Sequence, residues 1–243
     1  MLQACLNGGR PKSEEIAVPT TPEELAEDAK AVRAAGADEL HVHPRNSNGD
    51  ETLDPDDIAR CMSTIRDAAP KMSVGVSTGE WITPDLGSRL EQIEHWHVLP
   101  DYASVNIKES GAFGTMDILL SKGIGVEVGI WSAEDAERFR AFSNGPDCLR
   151  ILIEMTSGDP KSAMAEYQAV MKILSTYPFK LPILLHGNSG SVWTMIREAA
   201  QQDFSTRVGF EDIYALPNGD AATSNAALVA EAIKIIHEIH DGR

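Results

Sequence analysis

The sequence predicts one α/β domain, a (β/α)8 TIM barrel formed by residues 1–243. Short apolar runs and capped helical segments alternate eight times, in units of roughly 25–35 residues, as barrel strands and helices do. No Gly-x-Gly-x-x-Gly follows a predicted strand, and polar residues stand at most strand ends. A doubly wound sheet, the alternative, gathers its site at one switch point, so the barrel is favoured.

The first half of the chain contains four strand-helix units. Strands are predicted at residues 2–6, in a run that ends at His41 and His43, at residues 72–76 and at residues 102–105. Helices are predicted to start at Thr21-Pro22, Asp54-Pro55 and Thr83-Pro84, with a short helix at residues 116–121. A threonine or aspartate before a proline is typical of a helix N-cap. Thr21 and Glu24 also form a capping box, and Gly36 is the predicted C-cap.

The second half repeats this alternation. Strands are predicted at residues 125–129, 149–154, 182–185 and 207–210. Helices are predicted after Ser132 with Asp135, after Asp159-Pro160, and at residues 192–201 and 225–239. The carboxyl ends of the eight strands should therefore meet at one mouth of the barrel, where TIM-barrel enzymes place their active sites.

Composition narrows the class of protein. The net charge of −16 argues against nucleic acid or an anionic membrane as a general partner. Three widely spaced cysteines do not form a disulfide framework, and the first residues lack a basic signal region. No apolar run reaches the roughly 20 residues that span a bilayer. We therefore expect a cytoplasmic protein that acts on small molecules.

A His-x-His pair stands at the end of the second strand. Side chains alternate across a strand, so His41 and His43 share one face and can share a metal ion. Pro44 cannot donate to the sheet and should end the strand there. Glu211, at the end of the eighth strand, points into the same mouth. Two histidines and a carboxylate suit catalytic zinc, and also manganese or ferrous iron.

The run Arg207-Val-Gly-Phe-Glu-Asp212 follows the same strand face. Arg207, Gly209 and Glu211 should lie on one side, with Gly209 leaving room near the metal or substrate. Asp212 reaches the site only if the chain turns after Glu211. In that case Arg207 can orient Asp212 as a general base; otherwise the two form a structural ion pair.

Other strand ends supply further polar groups. Ser77, Thr78 and the Gly79 amide could bind a carboxylate or carbonyl oxygen, or could simply form a turn before a helix. Glu127 lies inside the fifth strand, where a buried carboxylate needs a partner in the site or in the core. The complete set of strand-end groups is Asn7, His41, His43, Ser77, Thr78, Ser104, Asn106, Glu127, Glu154, His186, Arg207, Glu211 and Asp212. A ring this rich in titratable groups favours an enzyme.

These motifs together resemble the β-keto acid cleavage enzymes, the family typified by 3-keto-5-aminohexanoate cleavage enzyme. The segments that carry the resemblance cover nearly the whole chain: Asn7-Gly-Gly-Arg10, Pro22-Glu-Glu24, His41-Val-His-Pro-Arg45, Ser77-Thr-Gly79, Ser104-Val-Asn106, Glu127-Val128 and Arg207-Val-Gly-Phe-Glu-Asp212. The resemblance implies a zinc-dependent TIM barrel, usually a homotetramer. It also implies a transferase that converts a β-keto acid and acetyl-CoA into acetoacetate and a new acyl-CoA.

The resemblance also implies roles for individual residues. His41, His43 and Glu211 would bind the zinc of each chain, and Asp212, oriented by Arg207, would take a proton from the substrate carbon. Ser77, Thr78, Ser104 and Asn106 fall where the family holds substrate oxygens, and Glu127 where it keeps a catalytic-site carboxylate. Asn7 stands where the aminohexanoate enzyme is expected to carry an acid that binds its amine. Glu80-Trp81 replaces a glycine run, which would narrow or recharge the pocket.

A metal-dependent hydrolase on the same barrel is the alternative. Such sites usually carry His-x-His on the first strand, with further histidines on the fifth and sixth. Here those two strands carry Glu127 and Glu154. A barrel without activity would have to explain both the metal set and the Arg–Asp set. The sequence therefore favours the cleavage enzyme and leaves the side chain of the keto acid open.

Overall fold

A computed structural model of the protein describes residues 1–12 and 16–243. Within these residues, eight strands alternate with eight α-helices. The strands are β1 (Leu2–Cys5), β2 (Glu39–Val42), β3 (Ser73–Ser77), β4 (Tyr102–Asn106), β5 (Gly125–Ile130), β6 (Arg150–Met155), β7 (Ile183–Gly187) and β8 (Thr206–Val208). The helices are α1 (Pro22–Ala34), α2 (Pro55–Ala68), α3 (Leu86–Glu94), α4 (Ala112–Ser121), α5 (Ala133–Phe139), α6 (Pro160–Leu174), α7 (Val192–Gln201) and α8 (Asn225–Asp241).

The eight strands are parallel and form the barrel that the sequence predicts. From β1 to β7 each strand pairs with the next in chain order, and β1 also pairs with β8. The remaining gap between β7 and β8 is crossed by the Leu184–Ser205 bridge, in which the Leu185 amide donates to Ser205 O at 2.9 Å. All strand carboxyl ends therefore face the same mouth.

Helix caps explain most of the helix starts. Thr21 forms the predicted capping box with Glu24, and Asp54 and Asp159 accept from amides of the first turns of α2 and α6. The predicted start at Thr83 is wrong, because the Asp85 carboxylate caps the Ser88 amide and α3 begins at Leu86. The Thr83 hydroxyl instead donates to Gln92 Oε1 at 2.9 Å.

Strand β8 is shorter than predicted because the chain turns at Gly209. A Cβ at this position would lie 1.8 Å from the Cys5 carbonyl oxygen, so glycine lets β8 pass close to the β1 backbone. The expected reason for Gly209, space for metal or substrate, is therefore wrong. The Asp212 amide donates to Gly209 O at 2.9 Å, which closes the turn that the general-base hypothesis requires.

No helix in the described ranges is both long and apolar enough for a bilayer span.

Candidate active site

The predicted metal ligands converge at the barrel mouth. Potential ligand atoms of His41, His43 and Glu211 all lie within 4.8 Å of one another. The two Nε2 atoms of the histidines are 3.2 Å apart, and Glu211 Oε1 lies 3.4 Å from His43 Nε2. Both imidazoles are almost fully buried. A compact N,N,O set that leaves further positions open has the composition of a catalytic zinc centre.

His41 and Glu211 already have the ionisation states of metal ligands, whereas His43 must release a proton to bind a metal. Burial disfavours its imidazolium form, but the Glu211 and Glu51 carboxylates outweigh burial and raise the pKa of His43 to about 9. Burial lowers the pKa of His41 to about 3, so its imidazole is neutral and has a free lone pair. Burial disfavours ionisation of Glu211, but Arg207 and His43 outweigh it and hold the pKa well below its usual range. His41 Nδ1 and Glu211 Oε2 have no hydrogen-bond partner within the described ranges although both are buried. An unpaired carboxylate oxygen beside a neutral imidazole is an arrangement that a metal ion would complete.

Arg207 joins this set to Asp212. Its Nη2 donates to Glu211 Oε1 at 2.9 Å and to Asp212 Oδ1 at 2.8 Å. The turn at Gly209 thus brings Asp212 to the site, where its side chain is 1% exposed. Burial raises the pKa of the Asp212 carboxyl despite the nearby guanidinium. A buried carboxylate of raised pKa is a stronger base than a solvated one.

Cys5 and His186 lie beside Asp212, and Glu154 lies beyond His186. The Cys5 thiol donates to Asp212 Oδ2 at 2.9 Å, and His186 Nδ1 lies 3.7 Å from the same oxygen. On the other side of the ring, His186 Nε2 lies 3.8 Å from Glu154 Oε2. Burial raises the pKa of Glu154 to about 7, against the opposing charge of Arg207. The sequence predicts Glu154 and His186 as strand-end groups, whereas none of its patterns indicates Cys5 as a site residue.

The loop after β1 covers the metal set. A Cβ on Gly8 would lie 2.5 Å from Glu211 Cγ, so glycine lets this backbone run directly over the carboxylate. Arg45 Nη2 donates to Gly8 O at 3.0 Å, and Arg10 Nε donates to Glu211 O at 3.1 Å. Asn7 is buried and exchanges two hydrogen bonds with the His43 backbone, at 2.8 and 2.9 Å. This loop therefore fixes the ends of β2 and β8 relative to each other.

The four predicted oxygen-binding side chains lie at the ends of β3 and β4. Ser77 and Ser104 are register partners, and Asn106 follows on the same face of β4. The Thr78 hydroxyl is occupied, because it donates to Ser104 O at 2.8 Å. Asn106 Nδ2 donates to Glu109 Oε1 at 2.7 Å. Gly129 leaves space for this amide, since a Cβ there would lie 2.5 Å from Asn106 Oδ1.

Glu127 lies deeper in the barrel. Arg150 Nε donates to Glu127 Oε2 at 2.6 Å, and Gln3 Nε2 donates to the same oxygen at 3.1 Å. Arg150 also pairs with Glu39 and stands 4.7 Å from the centre of the Tyr102 ring. These five residues form a buried polar layer inside the barrel. The partner expected for Glu127 is thus a core arginine.

Glu51 and Trp81 join the site from loops. His43 Nδ1 donates to Glu51 Oε1 at 2.5 Å, and Trp81 Nε1 lies 3.2 and 3.3 Å from the two Glu51 oxygens. The indole ring stacks on His43 with centroids 6.4 Å apart. Trp81 also lines a cavity of about 380 Å³ beside the site, together with Glu80, Pro84, Lys108, Glu109 and Trp131. An acid in a polar loop belongs to no recognisable pattern, so the sequence does not predict a role for Glu51.

The fold and the titratable groups at its mouth define a TIM-barrel enzyme. The sequence model of the beta-keto acid cleavage enzyme family matches residues 1–241, and the chain belongs to this family. The resemblance seen in the sequence is thereby confirmed.

The chain is similar to two named relatives and to one solved structure. A 3-keto-5-aminohexanoate cleavage enzyme of Fusobacterium nucleatum is 24% identical over 94% of this chain and 87% of its own length. A 3-oxoadipate:acetyl-CoA acetyltransferase of Cupriavidus necator is 36% identical over 32% of this chain and 28% of its own length. The apo structure of ObcA superposes with a TM-score of 0.70 at 16% identity, over 93% of this chain. The chain spans 62% of the ObcA chain, and this likeness concerns the fold alone.

Proposed function

We propose that this protein exchanges acyl groups between a β-keto acid and acetyl-CoA, giving acetoacetate and a new acyl-CoA. The observation that carries the proposal is the convergence of His41, His43 and Glu211 beside Asp212, with Arg207 bonded to both carboxylates. Membership of the β-keto acid cleavage family and the names of the two relatives support the reaction class. Zinc is the proposed metal, because two histidines and a carboxylate with open positions suit it.

His41, His43 and Glu211 would hold the metal in each chain. Bound there, a zinc ion supplies Lewis acidity that polarises the keto group and makes the neighbouring carbon more acidic. Asp212 takes the proton from the carbon between the keto and carboxylate groups. Arg207 holds Asp212 Oδ1, so the other carboxylate oxygen, Oδ2, acts as the base. The Cys5 thiol, which donates to Oδ2, gives up this hydrogen bond when the substrate binds.

The carbon balance of the proposed exchange is simple. The deprotonated carbon attacks the acetyl carbonyl carbon, a carbon–carbon bond forms, and CoA leaves as its thiolate. The thiolate then attacks the original keto carbon, and the bond from that carbon to the deprotonated position breaks. The products are a new acyl-CoA and the acetoacetate carbanion, which recovers its proton from Asp212. No oxidant, reductant or water is consumed.

Side chains of β3 and β4 would bind the substrate carboxylate and carbonyl oxygens. Ser77 and Ser104 line the mouth with hydroxyl groups, and Asn106 presents an amide. Thr78 and Asn7 would support the site without binding the substrate directly. The Thr78 hydroxyl already donates to Ser104 O, and the Asn7 amide already bonds the His43 backbone. Glu127 would support the site from the polar layer below it through Arg150.

We also infer a cytoplasmic homotetramer. The tetramer follows from family resemblance, and the location is consistent with three buried, unpaired cysteines in the described residues. Light scattering coupled to gel filtration would test the assembly.

The decisive test of the reaction uses acetyl-CoA labelled with ¹³C at both acetyl carbons. Incubated with the protein, zinc and a panel of β-keto acids, it should give acetoacetate labelled only at C3 and C4 and an unlabelled acyl-CoA. Mass spectrometry of both products measures this. A hydrolase would cleave the keto acid without acetyl-CoA and leave the label in the thioester, which would refute the transferase.

A further inference from the structure

We propose that Glu51 is a positioning residue for the metal site: it holds the His43 imidazole so that Nε2 faces the metal position. The inference deepens the proposed function and rests on it only in taking His43 as a ligand. The two nitrogens of the ring point to different partners. Nδ1 donates to Glu51 Oε1 at 2.5 Å, whereas Nε2 faces His41 Nε2 at 3.2 Å and Glu211 Oε1 at 3.4 Å.

This division decides which nitrogen can bind a cation. A carboxylate at Nδ1 keeps a proton on that nitrogen and leaves the lone pair of Nε2 for the metal. It also fixes the rotation of the ring and makes the imidazole a stronger ligand. His41 has no such support, because its Nδ1 lacks a hydrogen-bond partner in the part of the chain that the structure describes. Of the two histidines, His43 is therefore the one whose ring is held by an outer hydrogen bond.

Glu51 is itself held in place. The chain returns to His43 through a short antiparallel bridge between Arg45 and Glu51, and the Thr52 amide donates to Pro44 O at 3.0 Å. Trp81 Nε1 contacts both Glu51 oxygens and its ring covers His43. A Cβ on Gly9 would lie 2.9 Å from Glu51 Oε2, so the loop after β1 closes on the carboxylate from the other side.

The test measures zinc affinity of the full-length protein by competition with a chelating indicator. Removing such an outer-sphere partner typically weakens metal binding about 10–100-fold, and we expect that loss for Glu51→Ala. Glu51→Gln should fall between wild type and Glu51→Ala, because an amide oxygen still accepts from Nδ1 but lacks the charge. Asp50→Asn is the matched control: it removes the same charge from the adjacent, exposed residue and should leave the affinity unchanged.

A second readout separates positioning from a loss of fold. The absorption spectrum of the cobalt(II)-loaded protein reports ligand geometry and should change in Glu51→Ala but not in Asp50→Asn. Trp81→Phe keeps the ring over His43 and removes only the N–H, so its affinity should drop less than that of Glu51→Ala. If Glu51→Ala does not fold, the zinc affinities of Glu51→Gln and Trp81→Phe, compared with that of the wild type, test the inference instead.

Two outcomes overturn the inference in distinguishable ways. Wild-type zinc affinity in Glu51→Ala and Glu51→Gln, with zinc binding lost in His43→Ala, would remove Glu51 from the site and leave the proposed function standing. A wild-type protein that binds no zinc would remove both.

Discussion

Asp212→Asn should lower kcat by about 10²–10⁴-fold, the range that a general base contributes. The amide cannot take a proton, yet it keeps an oxygen for the Arg207 guanidinium that now bonds Asp212 Oδ1 at 2.8 Å. Because Asp212 is outside the metal set, zinc content should not change. Steady-state kinetics with elemental analysis of the same sample measures both quantities.

Asp220→Asn provides the matched control for this substitution. Asp220 is exposed in the loop after β8 and binds the Asn218 amide, so its loss should leave kcat unchanged. Asp212→Asn with more than a tenth of wild-type turnover would contradict the role as base. So would loss of zinc together with activity, because Asp212 would then act through the metal site.

Arg150→Ala should destabilise the fold by about 3–5 kcal/mol, the usual cost of removing one partner of a buried ion pair. Arg150 is 6% exposed and balances the charges of Glu39 and Glu127 inside the barrel. Without it, two buried carboxylates face each other with no cation, and they can remain buried only by binding protons. The loss should therefore grow as pH rises above the ordinary carboxyl range. Urea unfolding at two pH values measures both effects.

The control removes an arginine whose ion pair is solvated. Arg60→Ala breaks an exposed pair with Asp57 and should change stability by about 0–1 kcal/mol. A loss below about 1 kcal/mol in Arg150→Ala would mean that the buried layer does not depend on its arginine. The supporting role proposed for Glu127 would then lose its basis.

The metal set was predictable because simple periodicities determine it. Alternation along a strand places His41 and His43 on one face, and barrel closure brings the end of β8 to the same mouth. The position of Asp212 depended on a turn that periodicity could not decide. The turn forms because Gly209 lies against the Cys5 carbonyl, a contact between strands at opposite ends of the chain.

The distance of a residue from the barrel mouth was harder to predict than the strand face on which its side chain lies. Glu127 has the inward face expected of a site residue, but the mouth position on β5 is Gly129, two residues further on. Register with the neighbouring strands sets this distance, and no local pattern in the sequence reveals it. Glu127 therefore pairs with Arg150, whose own strand start gave no sign of an inward charge.

Glu51 shows the same limit for loops. It lies eight residues after His43, and the chain reversal that contains the Arg45–Glu51 bridge brings its carboxylate to the imidazole. Cys5 was also missed, because a cysteine at the end of an apolar strand is usually a core residue. Its thiol reaches Asp212 only because β1 and β8 are neighbours in the closed barrel.

The central claim is that His41, His43 and Glu211 form one metal site in each chain. Elemental analysis of the zinc-reconstituted wild type and of His41→Ala tests it most directly. The account predicts about one zinc per chain in the wild type, the content of a mononuclear catalytic site, and little in the variant. No zinc in the reconstituted wild type, or equal zinc in both proteins, would contradict it.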